Sequence, residues 1–280
     1  MDREDLIRWV GEGRPIEWLF FWGHTPIVKG QVDSSCLSQW YSSPFEVDGV
    51  RYLTAEHFMM AEKARCFGDN EALTKVLQTT SPAEAKKVGR SVEGYRESTW
   101  ADLRFQAVVQ GNLFKFGSSK PLRYFLLGTG KKILVEASPY DAIWGIGLSK
   151  DNPLSRDPSR WKGHNYLGFA LMEVRRTLLK GYWLEAIYAL VECGHNEDAL
   201  DILYEKIDGL LSKGAMGEVD SILGGIDLGR LDVTLLLATL TVTLSASPYL
   251  TCRPNLVRGV EGRIRELAPD RVECLMAGLR

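Results

Sequence analysis

Cysteine is scarce in this 280-residue chain, and the five present, Cys36, Cys66, Cys193, Cys252 and Cys274, are scattered with no CxxC pair. That spacing excludes a dense disulfide framework and a thiolate zinc cage, and the cysteines are expected as reduced packing thiols. Histidine is scarcer still. His24, His57, His164 and His195 stand alone, no HxH or HExxH occurs, and no metal site is expected. An excess of one charge is also missing: the formal net charge is −2, which argues against a broadly basic surface for non-specific nucleic-acid binding and leaves room for a local basic pocket. The opening MDREDLIRWV lacks the apolar core of a signal peptide, so a cytoplasmic location is expected. One stretch, 233–252, has no charged residue, but its threonines and Ser-Ala-Ser-Pro break leave about 12 to 15 residues for one helix. It is expected as a buried core helix, with no membrane partner.

What the chain does have is 45% hydrophobic residues, enough for a sizeable core in one large or two ordinary domains. Residues 1–180 are rich in aromatics, glycines and turn signals. Short strand-like pieces, EWLFFWG, FEVDGVRYL and KKILVEA, alternate there with longer helical patterns, and VDGV suits a hairpin turn because Asp-Gly tolerates positive φ. The fold expected is α+β and predominantly helical. After about Lys180 the pattern becomes helical throughout. Two apolar helical patterns flank Gly194-His195-Asn196, with Asn196 a candidate N-cap, which predicts a helical hairpin. Further helices are expected in AMGEVDSILGGI, LGRLDVTLLLATLTVTL and RPNLVRGVEGRIREL. Ala186, Ala189, Gly194 and Ala199 are spaced in a manner similar to a tetratricopeptide-like helix pair, although no fixed period continues. Residues 181–280 are thus expected as an all-α domain that either binds a protein partner or buttresses the first domain.

The segment TAEHFMMAEKARCFGD, 54–69, is an amphipathic helical pattern with Glu56, His57 and Lys63 set among methionines. Residues three, four and seven apart return to one face of a helix, so Glu56 and Lys63 share a stripe. Either they form a solvated charge pair, the common fate of Glu and Lys on a helix, or they face a cavity. Three further segments, LSQWYSSPF, SPYDAIWGIG and GHNYLGFALMEVRR, combine polar residues with Trp, Gly and other aromatics, a mixture suited to stacking on a planar group while admitting its polar edge.

Taken in order, SPF with DG and TAEHF, then AEK, then DAIWGIG, then NYLGFALMEVR resemble the NADAR family, also called YbiA-like, from about Trp18 to Leu179. The resemblance implies a YbiA-like fold and a cofactor-free enzyme that hydrolyses N-glycosidic bonds. Its substrates would be phosphorylated ribosylaminopyrimidine intermediates of riboflavin synthesis, or ADP-ribose attached to guanine in nucleic acid. It also implies that Lys63 acts through a covalent imine with the opened sugar, for which a lysine needs a lowered pKa. Glu56 is then the partner for proton transfer.

Asp141 matches the second motif and is assigned to ribose binding or to orienting Lys63; otherwise it caps the turn after Pro139. Trp40 and Trp144 are assigned to the substrate pocket, Trp144 alternatively to the core. Gly145 and Gly147 either let backbone N–H groups approach a phosphate or merely make a turn. Asn165 would bind ligand or cap the following helix, His164 would lie at the rim, and His57 is favoured for packing or hydrogen bonding. Arg175 or Arg176 would pair with a phosphate or end a helix in solvent. Gln39 stands where several relatives carry Asn, and Met59 and Met60 where relatives often have Gln nearby, which alters the wall that would meet the base. ADP-ribosylated guanine in DNA, or a related conjugate, is the favoured substrate, ahead of the riboflavin intermediates. A nucleotide-binding module without turnover is the rival from another class.

Overall fold

The computed structural model describes residues 1–212, 221–226 and 253–268. The chain forms two compact units: Met1–Leu126 with Lys131–Gly181, and Leu127–Gly130 with the chain from Tyr182 onward. The first unit is α+β and mostly helical, as expected. Its helices are α1 Arg3–Gly11, α2 Ala55–Phe67, α3 Asn70–Gln78, α4 Pro82–Arg90, α5 Glu97–Ser118 and α7 Tyr166–Gly181, while α6, Lys120–Leu127, ends at the second unit's turn. Its strands are β1 Trp18–Phe21, β2 Phe45–Val47, β3 Val50–Tyr52 and β4 Ile133–Glu136.

Local chemistry accounts for several boundaries. β2 and β3 pair antiparallel around Asp48 (φ 50) and Gly49 (φ 77), the two positive φ values that a tight Asp-Gly hairpin turn requires. Helix α2 starts where the Thr54 side chain accepts from the His57 N–H, and it stops at Gly68 in the left-handed conformation. Helix α4 begins with a Ser81 cap followed by Pro82 and ends on Lys87 and Arg90.

Buried α2 is the centre of this unit, with α3, α4 and α5 packed around it and α7 packed on both α5 and β4. Gly89 lets α4 approach closely, since a Cβ there would lie 1.9 Å from Met60 Sδ. β1 and β4 are remote in sequence yet pair in parallel, with Phe21 opposite Glu136. Their C-terminal ends therefore open on the same side, carrying the segments 22–33 and 137–145.

In the second unit α8, Trp183–Glu192, and α9, Asn196–Ser212, form the expected helical hairpin, turning at Gly194 with φ 77. Ala186, Ile187, Ala189, Leu190, Ala199, Leu200 and Leu203 are buried. Asn196 is the first helical residue instead of the cap, and the preceding His195 carbonyl accepts from Ala199 N–H. The helix expected in RPNLVRGVEGRIREL is present as α10, Arg253–Leu267. The one expected at 228–244 and the core helix at 233–252 lie outside the described residues, as does much of AMGEVDSILGGI. Among the described residues no helix is long and apolar enough to cross a membrane.

Candidate active site

Glu56 lies in the first turn of α2 with 2% of its surface exposed, an uncommon fate for a carboxylate. The Gln39 carbonyl accepts from its N–H at 3.0 Å, and the Trp40 indole donates to its carboxylate. The other carboxylate oxygen, Oε1, is buried with no partner in the protein. Burial pushes the Glu56 pKa up to about 7, against the opposing pull of Lys86, Trp40 and Arg90, while Asp141 adds to the rise.

A second carboxyl group joins it. Glu136 is the last residue of β4, and its Oε2 is likewise buried without a protein partner. Burial, then the charge of Asp141, pushes its pKa up to about 8, with Lys86 opposing and Glu56 adding. Asp141 completes the acidic group in the turn after β4. Its Oδ1 accepts from the N–H groups of Ile143 at 2.9 Å and Trp144 at 2.8 Å, while Oδ2 lies 3.8 Å from Lys86 Nζ. Asp141 is thus both the expected turn cap and a charge in the site. Lys86 reaches this group from α4, its ammonium 5.9 Å from the centre of the Trp40 ring.

The loop carrying Gln39 and Trp40 is held from below by Lys115, a lysine with no exposed surface. Its ammonium donates to the carbonyls of Cys36 at 2.6 Å and Ser38 at 2.8 Å. Burial lowers the Lys115 pKa to about 8 and raises the Cys36 thiol to about 12, so the thiol is an inert packing group. Gln39 is buried, and its Oε1 accepts from Asn112 at 2.7 Å. Gln39 therefore acts on Glu56 through its backbone carbonyl.

Lys63 does not stand beside Glu56. It lies seven residues on, roughly 10 Å along the helix axis, with its ammonium 3.9 Å from the centre of the Tyr95 ring. Burial lowers its pKa and Glu97 opposes that change. The expected pairing of Glu56 with Lys63 is replaced, in electrostatic terms, by Glu56 with Lys86 and Arg90. The shared stripe is real, but the cation that reaches Glu56 comes from the next layer.

Of the remaining expected residues, Gly145, Gly147 and Asn165 support the turn that holds Asp141. A Cβ at Gly145 would meet the Glu136 and Asp141 carbonyls at 2.9 and 3.0 Å, and one at Gly147 (φ +66) would meet Lys162 at 2.8 Å. The close approaches at both glycines are made by the protein's own chain. Asn165, at φ 55, donates from Nδ2 to the Leu134 carbonyl and accepts at Oδ1 from the Glu136 N–H, each at 3.0 Å. It ties the start of α7 to β4 and fixes the backbone of Glu136. Trp144 is half-buried, with its ring centre 6.3 Å from that of Tyr166. His57 bonds the Thr54 hydroxyl and the Thr79 carbonyl, a hydrogen-bonding role. Exposed His164 stacks on Tyr166, Arg175 donates to the Lys132 carbonyl, and Arg176 pairs with Glu173. Among the described residues no group of three or more His, Cys, Asp or Glu side chains is placed to hold a metal ion.

Lys86, Arg90 and Glu136 are absent from the sequence-derived candidates. Two signals point to them: a Pro-capped helix, SPAEAKKVGR, with a glycine in its interior, and a glutamate closing an otherwise apolar strand.

The family model described as NADAR domain matches residues 20–179. The chain is 36% identical over 164 residues to N-glycosidase R617 of Acanthamoeba polyphaga mimivirus, covering 57% of this chain and 95% of that one. It is 32% identical over 146 residues to N-glycosidase YbiA of Escherichia coli strain K12, covering 52% and 81%. Over 163 residues it is 31% identical to Protein irg-1 of Caenorhabditis elegans, covering 52% and 77%. The NMR structure of the Escherichia coli protein YbiA matches with a TM-score of 0.48 and 27% identity, covering 59% of this chain and 86% of that one.

Proposed function

The chain belongs to the NADAR domain family and is a hydrolase acting on N-glycosyl bonds; from that premise we propose that it cleaves a ribose–nitrogen bond with Glu136 as acid and Glu56 as base. The observation that carries this assignment is a pair of carboxyl groups, Glu56 buried and Glu136 half-buried, each with one buried oxygen lacking a protein partner and each pushed towards neutral pKa. Breaking a ribosyl C–N bond needs a proton for the departing nitrogen and a carboxylate to stabilise the positive anomeric carbon and activate water. Two carboxyls with separated pKa values supply both at one pH. Glu136, the carboxyl pushed higher, to about 8, gives its proton to the nitrogen. Glu56, with a pKa of about 7 and flanked by Lys86, Arg90 and the Trp40 indole, which favour its charged form, is the carboxylate. It takes a proton from water as the oxygen bonds to the anomeric carbon. The products are the free base and a ribose hydroxyl, and exchange with solvent resets both acids. Asp141 and Lys86 tune, in opposite directions, the two pKa values that burial raises, and bind ribose hydroxyls.

The substrate proposed is ADP-ribose on guanine in DNA or a related conjugate, whose anionic diphosphate suits a site backed by the two α4 cations Lys86 and Arg90. The second unit is proposed as the contact for a protein partner. Purified protein offered an ADP-ribosylated oligonucleotide and a ribosylaminopyrimidine phosphate is expected to release ADP-ribose from the first. Preferential cleavage of the second reassigns the substrate. Cleavage of neither, with ADP-ribose still bound, makes the chain a binding module.

Burial lowers the amine pKa of Lys63, which favours a covalent route as a second reading. Borohydride added during turnover, followed by peptide mapping, separates the two. An adduct on Lys63 establishes the imine route, and turnover without any adduct supports direct attack by water.

A further inference from the structure

Two large aromatic side chains stand in solvent beside these buried acids: Trp22 is 61% exposed and Tyr140 87% exposed. They are neighbours, with ring centres 6.2 Å apart and planes at 49°. Each is tied to the acidic group by the backbone. Trp22 follows Phe21, the register partner of Glu136, and the Phe21 carbonyl accepts from Ala137 N–H at 2.9 Å. Tyr140 immediately precedes Asp141, and its N–H is held by the Ser138 hydroxyl at 3.3 Å. Single exposed aromatics are ordinary, but a Trp and a Tyr brought together from segments more than 100 residues apart, over the end of the strand that bears the acid, form a paired apolar surface.

Resting on the N-glycosyl hydrolase reading, we propose that Trp22 and Tyr140 form the stacking platform for the nucleobase that leaves. The departing nitrogen must lie within reach of its proton donor, so the base projects from the sugar on the Glu136 side, where these two rings stand. Both rings are uncharged, which suits a planar base better than a phosphate. Stacking on π-faces tolerates different bases, and each ring lost to alanine weakens binding by about 5- to 150-fold.

The test titrates the full chain with guanosine, followed by tryptophan fluorescence and calorimetry, with ribose 5-phosphate as the base-free control. Guanosine is expected to quench the wild type and ribose 5-phosphate to leave it unchanged. Tyr140→Ala should weaken guanosine binding about 10-fold, Tyr140→Phe should restore it, and Trp22→Ala should remove the quenching and weaken the calorimetric affinity. Both side chains are exposed, so circular dichroism should show these variants folded. Unchanged affinity in Trp22→Ala/Tyr140→Ala, absence of guanosine binding in the wild type, or an equal response to ribose 5-phosphate overturns the proposal. Ring-dependent guanosine binding without cleavage of any ribosyl substrate upholds the platform and removes the hydrolase assignment. Cleavage with an unchanged KM in the double variant does the reverse.

Discussion

Replacing Glu136 by glutamine should remove activity and at the same time make the protein more stable in alkali. In the folded chain Glu136 holds its proton up to about pH 8, while its ordinary value is 4.5. Between those two pH values the folded state binds more protons than the unfolded state, so stability falls as pH rises. At about 1.36 kcal/mol per pH unit, the full rise represents about 5 kcal/mol lost by pH 8. About 3 kcal/mol of that falls between pH 5.5 and 8. Glutamine has nearly the same shape and never ionises, so Glu136→Gln escapes this loss. Its stability advantage over the wild type should therefore grow by about 3 kcal/mol from pH 5.5 to pH 9, on the order of 10 °C in melting temperature for a domain of this size. Tryptophan fluorescence is the suitable probe, because seven of the eight tryptophans precede residue 182 and report on the first unit. A Glu136→Gln advantage that is the same at pH 5.5 and pH 9, or a variant less stable than wild type at pH 9, refutes the burial of an ionisable acid at this position.

The charges around the pair should tune it in opposite directions. Asp141→Asn retains the oxygen that caps the turn but removes the charge that raises both glutamates, so the pH optimum for hydrolysis should move down; Lys86→Gln removes a cation that lowers both, so it should move up. Parallel movement of the two profiles would contradict the arrangement. Lys115→Met leaves the Cys36 and Ser38 carbonyls without their buried donor and should destabilise the first unit by about 2–3 kcal/mol in urea melts. It should also loosen the Trp40 contact with Glu56, so that kcat falls in the protein that remains folded.

Legibility from sequence followed the range of the interaction. The Asp48–Gly49 hairpin depends on chemistry within four residues, and the structure has it where the VDGV pattern places it. The turn cap at Asp141 was legible because it depends on residues two and three positions on, whereas its ion pair with Lys86 of α4 was not. The partner of Glu56 was not legible. Helical spacing says that Glu56 and Lys63 share a stripe, but only the close packing of α4 on Met60 at Gly89 determines which cation arrives. Glu136 was hidden for a related reason. A glutamate after Ile-Leu-Val is an ordinary strand end until parallel pairing with β1, more than 100 residues away, and the turn containing Asp141 enclose it. Asn165 shows the same limit, since its partners are on β4 instead of the helix that it precedes.

The most direct measurement is the pH dependence of kcat/KM on a ribosyl–nitrogen substrate, compared among the wild type, Glu56→Gln and Glu136→Gln. Activity should rise as pH passes about 7, where Glu56 ionises, and fall as pH passes about 8, where Glu136 loses its proton. Residual activity should lack the acid limb in Glu56→Gln and the alkaline limb in Glu136→Gln. A profile flat from pH 5 to 9, or either variant turning over at the wild-type rate, would contradict the assignment of these two acids.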